Sequence, residues 1–120
     1  MRYVYLMHRP GTDNYKIGIA RSVRYRRFMI DQDVEGQVMV ITARRCPGAY
    51  SVEQRLHECF SDRRFRLNAG PNAGRTEWFH FGIVELCCFF ILFNILTLRP
   101  YVEALAWASL IVTIAAIKIL

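Results

Sequence analysis

The last 40 residues hold 30 apolar side chains, with only two basic and two acidic residues among them. Nothing else in the chain constrains its fold as much. A helix apolar on every side needs a large protein or lipid around it. The 80 residues that precede this segment are too few to enclose two such helices. Residues 82–98 and 101–120 read as two apolar stretches parted by Arg99-Pro100. Each approaches the ~20 residues a helix needs to cross a ~30 Å hydrocarbon core. The expectation is a C-terminal two-helix transmembrane hairpin, and the alternative is a pair of core helices packed on the preceding domain. The positive-inside tendency would leave that domain in the cytoplasm. Without a membrane, the whole chain would be cytoplasmic.

Residues 1–81 read as a separate domain. The first 80 positions carry 14 basic and 8 acidic side chains, and so the entire net charge of +6. The basic residues are almost all arginine, 14 against two lysines in the whole chain. Arginine's planar fork suits bidentate contact with phosphate. The balance excludes a multidomain enzyme by size and a disordered chain by apolar content. Cys46, Cys59, Cys87 and Cys88 show no C-x-x-C spacing. They read as buried free thiols rather than as a disulfide or zinc framework, and a set of Cys46, His57 and Cys59 around a metal is the weaker reading.

Residues 2–7 and 15–20 alternate in character, and Pro10-Gly11 with Asp13-Asn14 supplies a turn between them, which predicts an antiparallel hairpin. Tyr5, Lys16 and Gly18 fall on one face of it. Ser22 is an N-cap for a short arginine-rich helix to about residue 32, followed by an acidic connection over 31–35. Residues 37–43 are β-branched and apolar, which reads as a strand buried on both faces. From 49 to about 64 the spacing turns helical. Val52, Leu56, Cys59 and Phe60 make the core stripe, and Glu53 and His57 stack four apart on a neighbouring face. A Gly/Pro/Asn loop over 68–74 precedes a closing Thr76-Glu77-Trp78-Phe79. The expected fold is α+β: a small three-stranded antiparallel sheet flanked by helices.

Tyr3-Val4-Tyr5, Lys16-Ile17-Gly18, Arg26, Glu53 and Glu77-Trp78-Phe79, in that order, resemble the GIY-YIG nuclease superfamily. The likeness is greatest to its bacteriophage-type DNA-binding, meiotically up-regulated-gene-like branch. It covers about residues 2–80 and nothing in the tail. Tyr3-Val4-Tyr5 stands at the G-I-Y position. Lys16-Ile17-Gly18 stands at Y-I-G, with Lys16 in place of the family's second tyrosine. Asn72 is the nearest counterpart of the family's late asparagine. The resemblance implies a GIY-YIG-like fold with Tyr5, Lys16, Arg26 and Glu53 as catalytic residues and Gly18, Arg27 and His57 beside them. Glu53 would hold one Mg²⁺ or Mn²⁺, Arg26 would clamp the phosphate, and Tyr5 would position or deprotonate the attacking water. A single carboxylate suits magnesium, which keeps several waters and borrows ligands from its substrate.

Each residue also has a plainer reading. Tyr5 fits a half-buried strand aromatic, Trp78 a core anchor, and His57 a helix-surface partner of Glu53. Glu53 itself would pair with Arg55 or Arg64. Arg24, Arg27, Arg44, Arg45, Arg63 and Arg64 form either a solvated face or a surface for DNA, and near a membrane they would meet anionic lipid. The functional expectation is a membrane-tethered, metal-dependent DNA endonuclease of GIY-YIG type. Its rival is a non-catalytic DNA-binding module of the same fold, and the third reading is a small membrane protein that docks on lipid or on a partner.

Overall fold

The structure is a computed structural model that describes residues 1–34, 36–74 and 77–119, without the side chain of Asn72. The side chain of the late asparagine, Glu35 of the acidic connection and Thr76 of the closing segment therefore lie outside what the structure describes. The chain opens with β1 (Arg2–His8) and β2 (Asn14–Ala20), paired antiparallel with Tyr5 opposite Gly18 and Met7 opposite Lys16. The expected hairpin is there. Helix α1 (Val23–Asp31) follows, capped by Ser22, whose hydroxyl accepts from the Tyr25 backbone N–H at 3.3 Å. Then come β3 (Met39–Cys46), α2 (Ala49–Cys59), the short strands β4 (Arg64–Phe65) and β5 (Trp78–His80), and α3 (Ile83–Ile119).

The sheet has five strands in the order β3-β1-β2-β5-β4, every neighbouring pair antiparallel, where three were expected. The two extra strands are two and three residues long. So short a strand carries no readable alternation, and only its partner defines it. The β3 segment is not buried on both faces either. It is an edge strand in which exposed and half-buried residues alternate, because nothing among the described residues pairs with its outer side. Helix α2 stops at Cys59, and a 3₁₀ turn at Ser61–Arg63 leads into β4. Val52, Leu56 and Phe60 are buried as the stripe required, but Cys59 is exposed and Glu53 and His57 take the inward positions.

Two cores flank the sheet. Val4, Leu6, Ile17 and Phe79 face α2 and the first half of α3, which brings Phe89 and Phe93. Tyr5, Met7 and Trp78 face α1 and its following loop through Ile30, Val34 and Val38.

The transmembrane hairpin is overturned, since α3 is one uninterrupted helix of 37 residues that carries Pro100 in its interior. Proline removes one helical hydrogen bond and costs about 3 kcal/mol, which kinks a helix but does not reverse it. Arg99 bonds Glu103 at 2.8 Å across the proline, and the Tyr101 hydroxyl donates to the Arg45 carbonyl at 3.2 Å. These contacts hold the helix together at the residue pair that read as a turn. Up to Pro100 the helix belongs to the domain. Phe89, Phe93 and Thr97 recur at four-residue intervals and are buried. The Arg44 guanidinium donates to Asn94 at 2.8 Å and Thr97 at 3.0 Å, and Arg63 pairs with Glu85 at 2.8 Å. The limit drawn at residue 81 thus falls before the last wall of the core. Residues 101–119 are exposed throughout.

Candidate functional site

Pairing between β2 and β5 covers only Asn14 to Lys16. Beyond it, the end of β2 loses its outer neighbour, and α2 lies against that open stretch. His57 is nine-tenths buried there, and its Nε2–H donates to the Ile17 carbonyl at 2.9 Å. The bond fixes the tautomer and closes a carbonyl that strand pairing leaves open. Burial pushes the His57 pKa below its ordinary value, so the ring is neutral. It also packs edge-on against Phe79, with ring centres 5.1 Å apart. The surface partnership expected of His57 is replaced by a buried one: Glu53 Oε1 lies 3.5 Å from the same nitrogen.

On the other face of the hairpin, the Tyr5 ring lies flat over Gly18. A Cβ at residue 18 would meet the tyrosine hydroxyl, and would stand 3.2 Å from its Cε1. Glycine is required here by close approach rather than by dihedral angles. The Arg26 guanidinium, on α1, lies near the Tyr5 hydroxyl and favours its ionised form. Burial nonetheless outweighs the arginine and pushes the Tyr5 pKa up to about 12. At neutral pH Tyr5 is a phenol that can donate a proton in a hydrogen bond, and it is no general base.

Lys16 is fully buried and forms an ion pair with Glu77, with its ammonium 6.0 Å above the centre of the Trp78 ring. Gly74, at φ +66°, turns the loop tightly enough to leave room for that ammonium. Trp78 is the core anchor expected of it, and its Nε1–H donates to the Ala73 carbonyl at 2.9 Å. Desolvation pushes the Lys16 pKa down, and Glu77 opposes the shift. Glu53 is 5% exposed, and its pKa is raised to about 7, first by burial and then by Glu77, against the pull of Lys16, Arg2 and Arg64.

Tyr5, Gly18 and Arg26 thus lie together on the α1 face of the hairpin, and Glu53, on α2 beside His57, is near enough to act on Tyr5 through its charge. Lys16 is turned inward. Of the arginines expected on a DNA surface, Arg24, Arg45 and Arg64 are exposed. Arg44 and Arg63 are engaged with α3, and Arg27 donates to the Val38 carbonyl at 2.7 Å. Glu77 was legible only as part of a motif. Its role as the partner of Lys16 had no sequence signal, because 61 residues separate the two.

An arginine thus lies beside a buried phenol, with two carboxylates acting on it through their charge, in a basic α+β domain. The chain belongs to the T5orf172 domain family, whose model matches residues 2–88. That domain occurs in phage and bacterial nuclease-like proteins, which is compatible with a DNA-related function. No curated protein and no solved structure matches it.

Proposed function

We propose that the chain is a metal-dependent DNA endonuclease of GIY-YIG type. What carries this reading is that Gly18 and Arg26 lie against Tyr5, with the charge of Glu53 near enough to act on it, at the family's motif positions. Among the described residues no group of three or more His, Cys, Asp or Glu gathers, so a hard cation would rest on one carboxylate and take its other ligands from water and substrate. Glu53 offers a desolvated carboxylate whose charge is resisted by Glu77, and a divalent ion there would offset both. Bound there, Mg²⁺ or Mn²⁺ would supply Lewis-acid polarisation of the scissile phosphate.

The chain's own residues do the rest. Arg26 binds the phosphate by charge-assisted hydrogen bonds. Tyr5, held as a phenol, orients the attacking water through a hydrogen bond and does not deprotonate it. Gly18 makes room for the phenol, and His57 keeps the open end of β2 in register. Lys16 stays inside and holds Glu77 rather than substrate.

The second reading is a DNA-binding module of the same fold that does not cut. It is favoured by the burial of Lys16 where the superfamily has a tyrosine. A labelled DNA duplex incubated with the full chain in detergent micelles, with and without Mg²⁺ or Mn²⁺, separates the two. Metal-dependent cleavage that disappears in Glu53→Gln and Arg26→Ala is expected. A salt-sensitive gel shift with intact duplex under every condition would leave the binding reading standing alone.

Membrane attachment is part of the same proposal, now through one helix. It is supported by α3 being long and apolar enough to cross a bilayer, with its most apolar window unburied.

A further inference from the structure

Where α3 leaves the domain, several independent features meet. Its last 19 residues, 101–119, are exposed on every side. At 1.5 Å per residue they span about 28 Å, close to the ~30 Å of a bilayer's hydrocarbon core. A protein partner would ask for one apolar stripe, but here Val102, Leu105, Trp107, Leu110, Ile111 and Ile114 point round the whole circumference. The charged groups stand at the ends: Glu103, paired with Arg99, and Lys118.

The domain's own surface at that end is basic. Arg2 pairs with Cys46 and Tyr3 with Arg45 at the start of β1, and the Tyr101 hydroxyl reaches the Arg45 carbonyl. A groove of about 270 Å³ between the start of α2 and Pro100 is lined by Gly48, Ser51, Arg55 and Arg99. Tyr101, 40% exposed, stands beside Arg45, and amphipathic rings of this kind collect at a bilayer interface. No flexible connection intervenes, because the helix that contributes Phe89 and Phe93 to the core is the helix that emerges.

We propose that residues 101–119 cross a bilayer as a single helix, and that Arg2, Arg45, Arg55 and Arg99 hold the domain in a fixed orientation against an anionic phospholipid leaflet. This rests on the membrane attachment proposed above and names its partner. Arginines at a negatively charged leaflet each add about 1 kcal/mol of attraction, or about five-fold in partition. The rigid junction makes those contacts add to insertion rather than compete with the motion of a linker.

The test is cell-free synthesis of the full chain with vesicles of phosphatidylcholine alone, or of phosphatidylcholine mixed with phosphatidylglycerol, followed by flotation. Recovery should be several-fold higher on the anionic vesicles. Arg45→Ala/Arg55→Ala should lose most of that preference, and Arg45→Lys/Arg55→Lys should keep it, which separates charge from fold. Equal recovery on both vesicles would overturn the arginine contact while leaving membrane attachment in place. Chain that floats with neither would remove the attachment itself.

Discussion

In the proposed reaction Glu53 is the residue on which the chemistry turns, and its environment gives it a pH signature. Its folded-state pKa of about 7 lies above the ordinary 4.5, so ionising it costs stability. Its contribution to folding is therefore full below about pH 4.5, and is lost as the pH rises through about 7. Glu53→Gln should leave stability nearly unchanged at pH 5 and raise it by about 1–3 kcal/mol at pH 8, read as a shift in Tm. At pH 8, Mg²⁺ should raise the Tm of the parent chain and not that of the variant. The buried pair of Lys16 and Glu77 gives an asymmetric expectation. Glu77→Ala strands a fully buried ammonium and should cost about 3 kcal/mol or more, whereas Lys16→Met replaces it with an apolar chain of similar length and should cost far less. A Lys16→Met protein that is stable but has lost cleavage would give Lys16 a role in catalysis that its burial argues against.

Among the elements, α3 differs most from what its sequence suggested. The hairpin expectation treated Arg99-Pro100 as a turn, but a lone proline is compatible with helix when flanking contacts hold its two sides. Those contacts, from Arg45 and Glu103, are invisible until the helix is placed. The amphipathic stripe of Phe89, Phe93 and Thr97 was present in the sequence, hidden by apolar residues on the remaining faces. Phe93→Ala should therefore destabilise the domain by about 3–5 kcal/mol, measured by denaturant unfolding. A chain ending after Pro100 should fold and lose vesicle flotation. One ending after Phe81 exposes Leu6, Phe60 and Phe79 to water and should show no cooperative unfolding. The β1–β2 hairpin and α1 were legible from alternation, turn residues and an N-cap. The strands β4 and β5 were not, since pairing alone defines them.

At the scale of the whole molecule, the arginines divide into two groups that the sequence does not distinguish. Arg24 is exposed, while Arg44 is held by Asn94 and Thr97 and lies 5.4 Å from the centre of the Phe93 ring. Arg24→Ala should weaken DNA binding about equally for all sequences and lower the dependence of log affinity on log salt by about one unit. Arg44→Ala should instead lower Tm. Motif order pointed to Tyr5, Gly18 and Arg26, which lie beside one another, and to Glu53 on α2, whose charge acts on Tyr5. The protonation states did not follow from it, because they depend on burial, which holds Tyr5 as a phenol. The most direct measurement is a nicking time course on supercoiled plasmid in Mg²⁺, with the full chain beside Glu53→Gln and with DNA affinity measured on the same preparations. Nicked circles accumulating with the parent chain, and lost by at least about a hundred-fold in a variant that still binds DNA, is the expected result. Equal nicking by the two proteins, or none by either at saturating DNA, would contradict a catalytic centre at Glu53.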